Sequence, residues 1–167
     1  MEITLEPFHE GDAGELLRIA NREEVVRWLP DFRMTLTLAE RLVRDSRETA
    51  FLSPLEQRRL FGIYGEGKLL GALSLGPTFE TDYRPAVGFF LAGEAEGKGT
   101  AFRAVSAAEE LLRREGAREL FALSEETNLR ASRLLEALGF ERREKRAFRV
   151  AGEREKRRYD LWERTLG

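Results

Sequence analysis

The 167-residue chain contains no cysteine and a single histidine, His9. The lack of cysteine excludes disulfides, thiolate nucleophiles and cysteine-based metal or redox motifs. One histidine cannot supply a multi-histidine metal site, and a Ser-His-Asp triad could be built only around His9. His9 lies in a polar turn after the first predicted strand, where an exposed turn residue is the simpler interpretation. The sequence therefore predicts no metal site.

Long apolar runs are also missing. No stretch approaches the roughly 18 apolar residues of a membrane span, and the first residues lack the basic and apolar regions of a secretion signal. We therefore expect a cytoplasmic protein with no membrane partner. Its 28 basic and 30 acidic residues give a net charge of −2, which provides no global attraction to nucleic acid. The length and an apolar fraction of 42% predict one globular domain over residues 1–167.

Apolar periodicity divides the chain into a mainly helical first part and a second part in which strands and helices alternate. A short strand at residues 2–7 precedes predicted helices at 12–21, 23–28 and 36–52. The remainder contains a hairpin at 59–64 and 69–75, a buried strand at 86–91, a long helix ending at 116, a strand at 118–123, a helix at 128–138 and a last hairpin at 140–150 and 154–163. This order predicts one mixed sheet with helices packed on it.

The segment between the buried strand and the long helix contains a glycine-rich turn, at residues 93–99. Such a layout directs the free N–H groups and the positive dipole end of the helix at the turn, as in anion-binding sites. Gly97 and Gly99 allow a phosphate to approach the backbone, Thr100 and Ala101 are small, and Lys98 adds a cation. The alternative is an ordinary strand-to-helix turn.

Two well-known phosphate motifs do not fit this turn. A Walker A loop needs four residues between its first glycine and its Gly-Lys pair, but only three separate Gly93 from Gly97. A Rossmann GxGxxG motif needs a third glycine where the chain has Phe102. ATP and NAD are therefore disfavoured as ligands.

Two segments resemble the GNAT superfamily of N-acetyltransferases. Residues 96–101, Glu-Gly-Lys-Gly-Thr-Ala, are similar to its Gln/Arg-x-x-Gly-x-Gly/Ala signature, and residues 128–140 are similar to its Asn-x-x-Ser...Leu-Glu-x-Leu-Gly-Phe segment. The opening and residues 27–30 are similar to the branch that includes the ribosomal-protein N-terminal acetyltransferases. The resemblance implies an α/β (α+β) fold with a mixed, mostly antiparallel central sheet of six to seven strands flanked by helices.

The resemblance also implies a site for acetyl-CoA as co-substrate. The main chain of Phe89, Phe90 and Leu91 would pair with the pantetheine arm, and residues 96–101 would hold the pyrophosphate. Asn128 would hydrogen-bond the pantetheine region, and Ser132 would lie near the thioester sulfur. Asn128 also fits a plain helix N-cap, and Ser132 a tolerated polar residue. The full set implied for the cofactor is Phe89, Phe90, Leu91, Glu96, Gly97, Lys98, Gly99, Thr100, Ala101, Asn128 and Ser132.

We expect direct attack of a neutral amine on the thioester, with a central-strand N–H polarising the carbonyl and Ser132 as a candidate donor to the departing thiolate. Some relatives carry a glutamate on the central strand where this chain has Ala86, so the base must lie elsewhere. Glu80 and Asp82 are the candidates, although each also fits a solvated loop residue. Glu96 departs from the family's Gln or Arg and puts a negative charge beside the predicted phosphate site.

The amine acceptor is expected between the early helices and the last hairpin. Trp28, Leu29, Phe32 and Tyr83 are the candidates to line its pocket. The acceptor is either a protein N-terminal amine, such as that of a ribosomal protein, or a small amine such as an antibiotic, polyamine or amino acid. An acyl-CoA-binding sensor without turnover is a further alternative. Dimerisation is common in this branch, so the resemblance makes a homodimer an expectation.

The basic residues of the last hairpin leave one more alternative open. They lie at 141–146 and 156–158, and these segments are locally basic. They fit a solvated surface of mixed charge, a contact to the cofactor's 3′-phosphate, or an RNA-binding module. The net charge of −2 argues against the last.

Overall fold

The computed structural model describes residues 1–167. Seven strands form its sheet: β1 (Ile3–Glu6), β2 (Arg59–Gly65), β3 (Lys68–Pro77), β4 (Pro85–Leu91), β5 (Glu119–Glu125), β6 (Glu141–Arg149) and β7 (Lys156–Thr165). Five α-helices accompany them: α1 (Ala13–Ala20), α2 (Glu23–Trp28), α3 (Leu36–Glu48), α4 (Thr100–Arg114) and α5 (Leu129–Ala137). Short 3-10 helices occur at Pro30–Phe32, Phe79–Thr81 and Gly93–Ala95. None of the helices has the length and apolarity needed to cross a membrane.

The seven strands form one mixed sheet in the order β1-β2-β3-β4-β5-β7-β6. All neighbours are antiparallel except β4 and β5, which are parallel. The buried strand of the sequence, β4, therefore takes the central place. The predicted mixed, mostly antiparallel sheet is confirmed.

Helix α3 ends earlier than its apolar pattern predicts, at Glu48 instead of residue 52. It begins at Thr35, whose hydroxyl accepts a hydrogen bond from Leu38 N. At the other end, the Thr49 hydroxyl donates to the Asp45 carbonyl, and Phe51 is 83% exposed. Because Phe51 does not pack against the core, no tertiary contact stabilises a further helical turn there.

The core lies between the sheet and its helices. Helix α1 packs against α3 and against strands β3 and β4, whereas α4 packs against β1 and β4. The largest side chains buried there are Trp162, Tyr64 and Phe8. Helices α1 and α4 thus both hold β4 in place.

The Tyr64 hydroxyl ties the first loop to the sheet. It accepts a hydrogen bond from His9 N at 2.8 Å and donates one to Asp12 Oδ2 at 2.7 Å. The His9 ring stacks on Tyr64 with centroids 3.9 Å apart, and its Nε2 lies 2.9 Å from Glu6 Oε1. The only histidine is therefore half-buried in a structural contact rather than fully exposed in a turn.

Replacing Tyr64 with phenylalanine is expected to destabilise the protein by about 1–3 kcal/mol, because a partly buried N–H and a partly buried carboxylate each lose their partner. Urea unfolding would measure this loss. The control is Tyr83→Phe: Tyr83 is 70% exposed, and its loss of a hydroxyl should change stability by less than about 0.5 kcal/mol. An equal change in the free energy of unfolding in the two variants would contradict the structural role of the Tyr64 hydroxyl.

Candidate functional site

Strands β4 and β5 separate soon after they meet. Their pairing comprises only Ala86 with Phe121 and Val87 with Ala122. Beyond these pairs β4 continues to Leu91 and β5 to Glu125, each hydrogen-bonded only to its outer neighbour. The two strands therefore leave between them a gap in which β4 presents unpaired backbone groups.

A cavity of about 540 Å³ occupies this gap. Its walls come from the two parted strands, from the starts of α4 and α5, from α2 and from β7. Strands β4, β5 and β7 contribute residues 87–91, residues 122–125 and Tyr159. The helices contribute residues 99–102 at α4, residues 128–131, 134 and 135 at α5, and residues 24, 25, 28 and 29 at α2. The lining is mainly apolar with a few polar groups, as in binding sites for organic ligands. One space thus connects the glycine turn with α2 and the last hairpin.

The glycine turn supplies the polar end of this cavity. Six consecutive backbone N–H groups, from Gly97 to Phe102, have no acceptor in the protein. Gly97 and Gly99 adopt left-handed conformations with φ of +73° and +75°, which other residues adopt only with strain. Free N–H groups and the dipole of a 15-residue helix together favour an anion at this point.

Thr100 gives an independent sign of a ligand. The residue is 1% exposed, and its Oγ1 is buried without any hydrogen-bond partner. Thr100 also lines the cavity. Buried hydroxyls are almost always hydrogen-bonded, so this group fits a ligand that supplies an acceptor.

The negative charge of Glu96 is matched by two arginines. Its Oε1 lies 3.3 Å from Arg22 Nη1, and its Oε2 lies 3.2 Å from Arg130 Nη1. Arg22 also donates to the Leu91 carbonyl, at the end of β4. The two arginines therefore offset the negative charge of Glu96 at the rim of the cavity.

The residues predicted for the pantetheine region lie at α5. Asn128 lines the cavity, and its Oδ1 accepts a hydrogen bond from Ala131 N at 3.2 Å, as an N-cap does. Ser132 is buried and donates to the Asn128 carbonyl at 3.3 Å. It is not among the residues that line the cavity. Its role beside the thioester stays a prediction.

Of the four candidates for the acceptor pocket, Trp28 and Leu29 line the cavity. Phe32 does not line the cavity but packs on Phe90, which does, with ring centroids 5.0 Å apart. Tyr83 lies outside, in edge contact with Phe79. The structure thus brings two of the four to the cavity.

Glu80 and Asp82 lie in the β3–β4 loop and do not line the cavity. Asp82 Oδ2 is 2.9 Å from Arg146 Nη2, and Arg146 Nη1 donates to the Glu80 carbonyl at 2.8 Å. The loop is thereby held against β6. The assignment of either carboxylate as base stays a prediction.

Tyr159 and Glu125 line the cavity, and sequence reasoning missed both. They face each other across the β5–β7 pairing. Burial raises the pKa of the Tyr159 phenol, with the Glu125 charge acting in the same direction. No local pattern marks them, because only the pairing of the two strands brings them to the gap.

Five of the seven basic residues at 141–146 and 156–158 are paired with acidic ones. Arg143 contacts Glu163, and Lys145 contacts Glu126 and Asp160. Further pairs join Arg142 to Asp160, Arg146 to Glu144 and Arg157 to Glu153. These pairings support the mixed-charge surface over a nucleic-acid interface. No group of three or more His, Cys, Asp or Glu residues is arranged to hold a metal ion.

A family model for the acetyltransferase (GNAT) domain matches residues 2–141 of the chain. The chain therefore belongs to the GNAT acetyltransferase family, as the two motifs and the parted central strands indicate. No curated protein sequence matches it.

Several solved structures are similar to the chain over its whole length. An acetyltransferase from Salmonella typhimurium that modifies the N-terminal serine of the 50S ribosomal protein L7/L12 has a TM-score of 0.81 at 12% identity, covering 100% of this chain and 96% of that one. The microcin C7 self-immunity acetyltransferase MccE, solved with acetyl-CoA and AMP, has a TM-score of 0.78 at 16% identity, with coverages of 98% and 92%. A GNAT acetyltransferase from Bacillus anthracis has a TM-score of 0.78 at 15% identity, with coverages of 99% and 96%. At these identities the likeness shows the fold.

Proposed function

We propose that the protein transfers an acetyl group from acetyl-CoA to a primary amine at the gap between β4 and β5. The observation that carries the proposal is the polar end of the cavity. There the six unpaired N–H groups from Gly97 to Phe102 and the partnerless Thr100 hydroxyl meet the start of α4. A pyrophosphate supplies the acceptors and the negative charge that these groups need.

The rest of the cofactor would follow the gap. The unpaired backbone of residues 88–91 can hydrogen-bond the amides of a pantetheine arm, much as a further strand would. The thioester would then lie where β4 and β5 part, at Val87 and Gly88. The α2 and β7 side of the cavity remains open to the amine, which attacks the thioester directly.

The finer assignments belong to the same proposal. Asn128 would bind the pantetheine region, and Ser132 would assist the departing thiolate. Glu80 or Asp82 would accept the proton of the amine, because β4 carries no carboxylate at Ala86. Trp28 and Leu29 would contact the acceptor.

A protein N-terminal α-amine is the acceptor class we propose first. It is supported by the fold shared with the Salmonella typhimurium enzyme, which modifies an N-terminal serine. A small amine is the second candidate, supported by the similar fold of MccE, a self-immunity acetyltransferase solved with acetyl-CoA and AMP. The two candidates are separated by measuring the rate of thiol release from acetyl-CoA with short peptides and with small amines as acceptors.

Acetyl-CoA is expected to raise the thermal unfolding midpoint, whereas ATP and NAD at the same concentrations are not. A ligand at about 100 times its dissociation constant adds roughly 2.7 kcal/mol of stability, which amounts to several degrees for a protein of this size. A midpoint unchanged by acetyl-CoA would overturn the cofactor assignment.

Mass spectrometry of the protein after incubation with acetyl-CoA tests the direct attack. We expect no covalent acetyl-enzyme, and its detection would replace the direct route by a two-step one. Tight acetyl-CoA binding without thiol release from any amine would instead favour an acyl-CoA sensor.

A further inference from the structure

One face of the sheet carries a set of polar residues around the point where β4 and β5 part. Paired residues in neighbouring strands share a face, and every second residue along a strand returns to it. The pairs Ser74–Gly88, Ala86–Phe121, Glu125–Tyr159 and Tyr159–Arg146 therefore place Ser74, Gly88, Glu125, Tyr159 and Arg146 on the same face. Gly88 is the first β4 residue beyond the pairing with β5.

Arg58 reaches this face from the loop before β2. Its Nη2 donates to Ser74 Oγ at 2.5 Å, and its Nη1 donates to the Gly76 carbonyl at 3.1 Å. Nη2 also lies 3.8 Å from the position that a Cβ on Gly88 would take. Because Gly88 has no side chain, the guanidinium lies directly against the backbone at the start of the gap.

The Arg58 guanidinium is not fully used by the protein. Two of its five N–H groups are bonded to Ser74 and Gly76, and the others have no acceptor in the chain. No carboxylate forms an ion pair with it, although most arginines near the site have such a partner. The residue is exposed, yet desolvation by the surrounding protein lowers its pKa. Arg58 is therefore an exposed cation beside Gly88 with free N–H donors.

Glu80, in the β3–β4 loop, supplies the opposite charge. Its negative charge acts on Arg58 and partly offsets the effect of burial on the arginine pKa, but the two side chains are not in contact. Arg146 holds the Glu80 main chain through its carbonyl, at 2.8 Å. A cation and an anion that stand apart can bind a molecule that carries both charges between them.

The anion bound at Arg58 would not be a phosphate of the cofactor. The phosphate site begins at Gly97, beyond the far end of β4, whereas Arg58 lies at Gly88. Gly88 and Leu91 are separated by roughly 10 Å along the strand, and the turn adds further distance. An anion at Arg58 would therefore belong to the acceptor.

We propose that Arg58 binds a carboxylate of the acceptor, so that the substrate is a primary amine with a carboxylate close to its nitrogen. Glu80 would face the ammonium group and take its proton. A free amino acid and a peptide with an acidic first residue both have this chemistry. The inference rests on the proposed acetyl transfer and specifies its substrate class.

The test compares matched acceptors in a thiol-release assay. Free amino acids are paired with their amides, and peptides beginning with Asp or Glu are paired with peptides beginning with Asn or Gln. We expect kcat/KM for the carboxylate member of at least one of the two sets to fall about 10- to 100-fold in Arg58→Gln, while kcat/KM for the neutral member stays the same. The set that responds identifies the source of the carboxylate.

Arg44→Gln is the matched control, because Arg44 is an exposed residue of α3 with no hydrogen-bond or ion-pair partner. It removes the same charge and should leave every ratio unchanged. If Arg58→Gln does not fold, Arg58→Lys replaces it; lysine keeps the charge but loses the paired N–H groups, and a loss of about tenfold is expected.

The outcomes separate this inference from the proposed function. Acetylation with a carboxylate-to-neutral ratio that Arg58→Gln leaves unchanged would overturn the inference and leave acetyl transfer standing. Acetyl-CoA binding without acetylation of any member of either set, or of any other peptide or small amine, would overturn both.

Discussion

Replacing Ala101 with aspartate is expected to raise the KM for acetyl-CoA about 100-fold. Ala101 lines the cavity as the second residue of α4, and its own N–H is one of the six unpaired groups. Two like charges 4 Å apart repel by about 4 kcal/mol near a protein surface. Solvent at the open rim reduces this, and about 2.7 kcal/mol corresponds to a 100-fold loss of affinity.

Stability should not fall with affinity in this variant. A carboxylate in the first turn of a helix interacts favourably with the dipole, by about 0.3–1 kcal/mol. Thermal unfolding without ligand should therefore give an unchanged or higher midpoint for Ala101→Asp. A protein that binds its cofactor much more weakly and is no less stable has lost the anion site alone.

Ala101→Asn is the matched control, because asparagine has the shape of aspartate without its charge. We expect its KM for acetyl-CoA to lie within about tenfold of the wild-type value. If the Asp and Asn variants had equal KM values, charge at the start of α4 would be irrelevant, and the phosphates would bind elsewhere. The two KM values can be measured in the same thiol-release assay.

The largest effect on stability is expected from Trp162→Ala, at about 3–5 kcal/mol. Trp162 is 1% exposed, and its indole Nε1 donates to Ser124 Oγ at 2.9 Å. The substitution removes the largest fully buried side chain and leaves a buried hydroxyl without its donor. For a chain of this size the midpoint should fall by about 10 °C.

Phe51→Ala is the control for this prediction. Phe51 is 83% exposed, so removing its ring should change the free energy of unfolding by less than about 0.5 kcal/mol. Urea unfolding of both variants measures the difference. A loss below about 1 kcal/mol for Trp162→Ala would mean that β7 is held to β5 by its backbone pairing rather than by this side chain.

Glu96 illustrates how far the candidate site can be predicted from the sequence. Its charge beside the phosphate turn is visible in the motif and suggests a conflict with an anion. Its partners are not visible there, since Arg22 lies 74 residues away along the chain and Arg130 lies 34 away. The arginines that offset its charge become visible only once the α1–α2 junction and α5 are placed beside the turn.

Most of the secondary structure and the glycine turn at residues 93–99 could be predicted from the sequence alone. Apolar periodicity, the glycines at 97 and 99 and the small residues after them act within a few positions of one another, so local chemistry is enough to specify them. The family motifs added a mixed, mostly antiparallel sheet of six to seven strands, whereas the order of the strands came only from the structure.

The gap between β4 and β5, the cavity and the surroundings of Arg58 were decided only by the tertiary structure. Val87 pairs with Ala122 and Ser74 with Gly88, and Tyr159 reaches the cavity through its pairing with Glu125. The face on which a strand residue lies depends on register, which the packing of the whole core selects. No local pattern in the sequence predicts the position at which β4 and β5 separate. The candidate site lies at that position.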